Sequence, residues 1–206
     1  EYILNLSADE KKYFLEYRDK VRITDDDFVV GFNTGCSELF PNKKMTIEQH
    51  QNLIYSFLKH PGIKIALFGG PEDTERNMQI AAPFGDKILS TPTTHGLRKG
   101  ILYENLADVV ITGDSFGMHL AIGLKKYVIA WFGLSCWTEI DLYGRGVKLF
   151  QEDLFCSPCW KKKCPYDLEC IKMIDLDRIV SETVSYYESN RWKEAKHLNP
   201  ALVGAE

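Results

Sequence analysis

The stretch DVVITGDSFGMHLAIGL, residues 108–124, decides how this chain folds. A β-branched apolar run ends at Gly113, and an apolar pattern with helical spacing begins within three residues. That is a buried strand passing through a tight turn into a helix. At the junction stand Asp114, Ser115, Gly117 and His119. Asp114 or Ser115 can be the N-cap, a contribution of about 1 kcal/mol. His119, near the end of the first turn, can be a half-buried packing histidine. Together they also make an anion site. Backbone N–H groups from Ser115 through Phe116 to Gly117 would hold one phosphate, and the imidazole would donate to a neighbouring oxygen.

The same alternation runs outward in both directions. Upstream lie a charged helical opening (SADEKKYFLEYRDK, within a leading segment 1–22), a strand (residues 28–32) and a helix in which Thr46 and Gln49 form a capping box. Then come the strand IKIALF, a helix opened by Pro71, the short strand DKILS, and the helix GLRKGILYENLA with Leu97, Ile101 and Leu106 on one side. Downstream lie the strand YVIAWFG, an irregular cysteine-bearing insertion (151–174) and a last helix over 175–197. Five apolar strands joined by helices predict an α/β, Rossmann-like parallel sheet with helices on both faces, one domain over 1–206.

The 206 residues carry a net charge of −4, so no global basic field favours nucleic acid. No apolar run is long enough to span a bilayer and no signal-peptide pattern opens the sequence, so we expect a cytoplasmic protein with at most peripheral membrane contact.

In such sheets, ligands bind outside the carboxyl ends of the strands. Four strand ends here carry glycine or small polar residues: FNTGCS, FGGPED, TGDSFGMH and FGLSCW. None is a Walker A or a G-x-G-x-x-G motif. Lys43 and Lys44 follow the first of these turns. They read as a solvated pair or as a second phosphate contact. Glu72 heads the helix after FGG, either as favourable charge at a helix N-terminus or as a hydrogen-bond acceptor for a ribose hydroxyl.

Four of the six cysteines, Cys156, Cys159, Cys164 and Cys170, fall in one segment with C-x2-C-x4-C-x5-C spacing. Without a secretory context, a tetrahedral Zn²⁺ site, or a single iron with the same ligands, is favoured over two disulfides or four free thiols. Lys161, Lys162 and Lys163 sit inside that loop, as a solvated run, as cations offsetting thiolate charge, or facing acidic acceptor groups.

Four segments in order, FNTGCSELFPNKKMT, LFGGPEDTERN, VVITGDSFGMHLAIGL and EIDLYGRGVKLF with its cysteine tail, resemble glycosyltransferase family 9, the heptosyltransferase family. The resemblance runs from about residue 29 to 180. It implies the C-terminal, nucleotide-sugar-binding half of a GT-B enzyme that uses ADP-heptose as donor and a lipopolysaccharide core or other glycan as acceptor, at the inner face of the inner membrane. It puts Asp114 and His119 near the sugar diphosphate, Lys43 (or Lys44) on phosphate and Glu72 (or Glu75) on ribose. It also implies a cysteine-rich finger like the one here. The acceptor site and the general base are expected in an N-terminal domain outside this sequence, so this half should bind donor but turn over poorly. A GT-B nucleotide-sugar epimerase and a non-catalytic nucleotide-binding module are the alternatives. None of the four strand-end loops carries an Asp-x-Asp that would point to a catalytic metal.

Overall fold

The computed structural model describes residues 1–196, 199 and 200. Among them, six strands form one parallel sheet: β1 (Phe28–Asn33), β2 (Ile63–Phe68), β3 (Leu89–Ser90), β4 (Val109–Gly113), β5 (Tyr127–Trp131) and β6 (Gly146–Leu149). Their order is β3-β2-β1-β4-β5-β6. The chain reverses direction across the sheet between β1 and β4, which opens a crevice at their carboxyl ends. The helices are α1 (Ala8–Lys20), α2 (Ile47–Phe57), α3 (Thr74–Ala81), α4 (Leu97–Glu104), α5 (Phe116–Gly123), α6 (Glu169–Lys172), α7 (Leu176–Glu188) and α8 (Arg191–Lys196).

Alternation along each strand splits the core into two layers. Phe28, Val30, Phe32, Ile65 and Ile111 pack with Leu53, Ile54 and Phe57 of α2, Ile80 of α3 and Ile179 of α7. Val29, Ala66, Phe68, Val110 and Val128 face the other way, onto Phe14 of α1, Leu102 of α4 and Met118 and Ile122 of α5. Both faces are covered, which is why the strands are apolar throughout. Reciprocal capping boxes start α1 (Ser7 with Glu10) and α2 (Thr46 with Gln49).

The structure departs from the sequence reading in several places. Of DKILS only Leu89–Ser90 is strand, and a 3₁₀ turn, Gly85–Lys87, precedes it. A sixth strand, β6, forms the sheet edge opposite β3. The helix after β2 starts with a 3₁₀ turn, Pro71–Asp73, before α3. Leu97 is exposed, whereas Ile101 and Leu106 are buried. The last helix breaks into α7 and α8 at Asn190, whose φ of 56° ends regular helix; residue 197, where that helix was expected to end, lies outside the described residues. Among the described residues, no helix is long and apolar enough to cross a membrane.

Candidate functional site

A cavity of about 640 Å³ opens at the carboxyl ends of β1, β2 and β4. Its wall includes Asn33, Lys43, Glu72, Asp114, Ser115, Phe116, Gly117 and His119. The turn after β4 delivers most of them. Ser115 is the N-cap of α5, its hydroxyl accepting from Met118 N at 3.4 Å. Asp114 is therefore free of capping and pairs instead with Lys43, Nζ to Oδ2 2.6 Å, both side chains largely buried. Gly117 has no alternative: a Cβ there would lie 1.1 Å from Nδ2 of Asn33. Backbone and asparagine thus interlock where the first turn of α5 meets the cavity.

Lys43 is held from several sides. It ends the 3₁₀ turn Pro41–Lys43, and Nε1 of Trp131 donates to its carbonyl at 2.8 Å. Its ammonium lies 4.9 Å from the Trp160 ring centre and 5.5 Å from that of Phe40. Lys44 turns the other way, to Asp73, 3.3 Å from Oδ1, and is not part of the cavity wall. Asp73 is buried and also accepts from Gly70 N at 3.1 Å, shaping the loop that presents Glu72. Gly35 leaves room for that carboxylate, since a Cβ there would lie 2.0 Å from Asp73 Oδ2. Glu72 is exposed and lines the cavity. Glu75 is exposed on α3, accepts from Gln79 at 2.8 Å and stands outside the wall.

His119 also lines the cavity, and its Nδ1 lies 2.9 Å from the Tyr2 hydroxyl. Tyr2 is placed there by Glu1, whose carboxylate pairs with Lys125 and with Arg145. At the α4 wall the cavity is bounded by Gly96, Leu97, Gly100 and Glu104. Glu104 is buried, its Oε1 has no hydrogen-bond partner, and burial pushes its carboxyl well above the usual carboxylate range, with nearby Lys126 pulling it down. Lys126 is itself buried and donates to Asn105 O at 2.8 Å.

Cys156, Cys159, Cys164 and Cys170 line one small cavity beside Gly133, and all four are free of disulfides. Burial, then the neighbouring Cys159, Cys164 and Cys156, push the Cys170 thiol up to about 11. Among the described residues, no three His, Cys, Asp or Glu side chains are arranged as a formed ion site. The segment packs on the loop that carries Lys43: Trp160 packs edge-on against Phe40, and Asn42 donates to the Lys162 carbonyl at 3.2 Å. Lys161, Lys162 and Lys163 are exposed.

The site also contains residues that the sequence reading did not single out. Asp73, Trp131 and Trp160 position the loops, Tyr2 meets His119, and Glu104 sits in the α4 wall. Only Glu104 left a sequence signal, an acid inside the apolar run ILYENLA of an amphipathic helix.

The profile of Glycosyltransferase family 9 (heptosyltransferase) matches residues 2–169. A lipooligosaccharide heptosyltransferase 2 of Campylobacter jejuni subsp. jejuni is 33% identical over 85 residues, 39% of this chain and 27% of that protein. The solved E. coli ADP-heptose lps heptosyltransferase II superposes with a TM-score of 0.71 at 19% identity, covering 92% of this chain and 54% of the other. The dodecameric iron-containing heptosyltransferase TibC, solved with ADP-D-beta-D-heptose, superposes with a TM-score of 0.59 at 15% identity, covering 82% of this chain and 47% of the other. The chain therefore spans about half the length of these solved relatives, and the match to the Campylobacter protein covers about a quarter of that relative.

Proposed function

The chain belongs to glycosyltransferase family 9, the heptosyltransferase family, and its fold matches the C-terminal half of GT-B heptosyltransferases; we propose that it binds the donor of heptosyl transfer, ADP-heptose or a related nucleotide sugar. One observation carries this reading: Lys43, Asp114, Ser115, Gly117, His119 and Glu72, drawn from three strand ends, share one cavity wall. The first turn of α5 and His119 supply N–H donors for a diphosphate, Lys43 supplies charge, and Glu72 accepts from a ribose hydroxyl.

In the transfer, an acceptor hydroxyl attacks the anomeric carbon, the bond from that carbon to the diphosphate oxygen breaks, and ADP leaves with the electron pair. The negative charge grows on the oxygen nearest Lys43, His119 and the helix N-terminus, where fixed donors stabilise it most. The acceptor, a lipopolysaccharide core or another glycan, and the base that takes its proton belong to the other half of the two-domain enzyme. This reading also places the protein in the cytoplasm, at the inner face of the inner membrane.

We also infer that Cys156, Cys159, Cys164 and Cys170 hold one structural ion, zinc or iron. The donor set supports this: four soft ligands around a single small cavity leave no open position for substrate. A bound ion would fix the loop and with it Trp160.

Calorimetry with ADP and ADP-heptose tests the donor site; saturable one-to-one binding is expected, and none by either ligand overturns it. With the acceptor-binding half supplied, free ADP and a glycosylated acceptor are the expected products. An epimerised sugar nucleotide would make this an epimerase, and donor binding without any product would make it a binding module.

A further inference from the structure

We propose that Glu104 reads the nucleobase of the donor, its carboxyl hydrogen-bonding the polar edge of a base lodged against α4. This rests on the donor-site reading above and adds a residue to it.

Gly100 and Glu104, four residues apart on one face of α4, line the cavity together with Gly96, the residue that precedes the helix. The two glycines leave this end of the wall bare: a Cβ built on either would meet nothing within 4 Å. A flat ring can therefore approach the helix closely. The neighbouring wall is apolar, with Phe68, Leu97 and Leu120. The cavity's anion-binding groups, Lys43, His119 and the start of α5, belong to other elements, so the phosphates have a place of their own. What remains at α4 is a bare apolar slot with one carboxyl in its wall, a surface suited to a heterocycle and hostile to a phosphate.

Glu104 is 3% exposed, yet its Oε1 has no partner. A buried acceptor left unpaired costs about 1–3 kcal/mol, and such an orphan in a cavity wall is explained when a ligand completes it. Burial favours the neutral acid, although Lys126 opposes it. A neutral carboxyl offers O–H and C=O side by side. An edge with a ring nitrogen acceptor beside an amino donor, as in adenine, matches both at once. An edge with two donors, as in guanine, calls for the ionised form, which burial disfavours.

The test is calorimetric and compares ADP with purine riboside 5′-diphosphate, which lacks the amino group, on the wild type, Glu104→Gln and Glu104→Leu. The wild type is expected to prefer ADP about tenfold, the worth of one hydrogen bond. Glu104→Gln, whose amide keeps one donor and one acceptor, should hold that preference. Glu104→Leu should bind both nucleotides about equally, with the loss falling on ADP. Equal binding of the two by the wild type, or an undiminished preference in Glu104→Leu, overturns the role of Glu104 while leaving the donor site intact. No binding of either nucleotide by the wild type overturns both readings.

Discussion

The Tyr2 hydroxyl lies 2.9 Å from Nδ1 of His119, and the two rings pack with centroids 5.6 Å apart. Nδ1 is engaged by the Tyr2 hydroxyl, so Nε2 is the ring nitrogen left for a ligand; where the phenol is the donor, the ring proton stands on Nε2 and His119 donates from it. Glu1, clamped between Lys125 and Arg145, keeps Tyr2 in register. Tyr2→Phe keeps the ring contact and removes the hydrogen bond. We expect ADP affinity to fall about threefold to tenfold, the range of one neutral hydrogen bond. Nitrogen NMR of His119 should show the loss of a single tautomer. A fixed Nε2–H tautomer with unchanged affinity in the variant would refute the arrangement.

Lys43 and Asp114 form a pair whose charges nearly cancel until an anion enters. Lys43→Met removes the cation and leaves the Asp114 carboxylate facing the diphosphate. ADP affinity should fall by about 10-fold to 100-fold, as for a charge-assisted hydrogen bond. Adding Asp114→Asn to that variant should recover part of the loss, because the remaining repulsion goes. If the double variant binds more weakly than Lys43→Met, Asp114 contacts the donor directly rather than through Lys43.

Much of this was legible in the sequence because the sheet is buried on both faces. Strands β1, β2, β4 and β5 are apolar runs bounded by turn residues, and glycines mark their carboxyl ends. Strand β6 escaped because GVKL is short, lies at the sheet edge and carries Lys148, whose ammonium is used by the carbonyls of Trp137 and Ile140. The convergence of Lys43, Asp114 and His119 followed from strand-end logic. The choice between Lys43 and Lys44 did not. It depends on which ammonium meets Asp114 and which meets Asp73, a matter of long-range packing. Tyr2 is 117 residues from His119, and no local pattern could join them.

Gly117 is predicted to be the least tolerant position of the site loop. A methyl there would overlap the Asn33 amide, at 1.1 Å, so either the side chain or the start of α5 must move. Gly117→Ala should destabilise the fold by about 1–3 kcal/mol in urea denaturation, the usual cost of overpacking. Asn33→Ala, which removes the clashing group, should restore most of that stability in the double variant. Equal destabilisation of single and double variants would place the cause in the backbone instead.

His50 gives a pH dependence of definite sign. It is fully buried, its Nδ1 lies 2.8 Å from the Thr46 carbonyl, and Nε2 has no partner. Burial pushes its pKa down to about 4. An unfolded histidine titrates near 6.5, so between about 6.5 and 4 the unfolded chain binds the extra proton. The contribution of His50 to stability is therefore complete above 6.5 and is lost as pH falls towards 4, at up to about 1.4 kcal/mol per pH unit. Glu104 and Asp108, both raised by burial, act in the opposite sense in part of this range. The readout is thus the difference between wild type and His50→Gln, measured by denaturation at pH 7.5 and pH 5. The wild type should lose stability relative to the variant on acidification, and a constant difference would show that His50 does not titrate in this window.

The cysteine segment should report its ion at a distance. Trp160 lies between Cys159 and the Lys43 ammonium, 4.9 Å from it, and its backbone N–H donates to the Leu134 carbonyl at 2.9 Å. An ion held by Cys156, Cys159, Cys164 and Cys170 would fix this loop, and through Trp160 the position of Lys43. Elemental analysis of freshly purified protein should give close to one zinc or iron per chain, falling with Cys159→Ser. Trp160→Ala should leave that content unchanged and still weaken ADP binding by about twofold to fivefold, the scale of an exposed cation–π contact. Cys159→Ser should show both effects together. The order of the two losses carries the argument: metal without Trp160 weakens binding, whereas Trp160 without metal is misplaced. A metal content near zero in the wild type, with four free thiols by mass spectrometry, would sink the ion and leave the contact of Trp160 with Lys43 to be tested on its own.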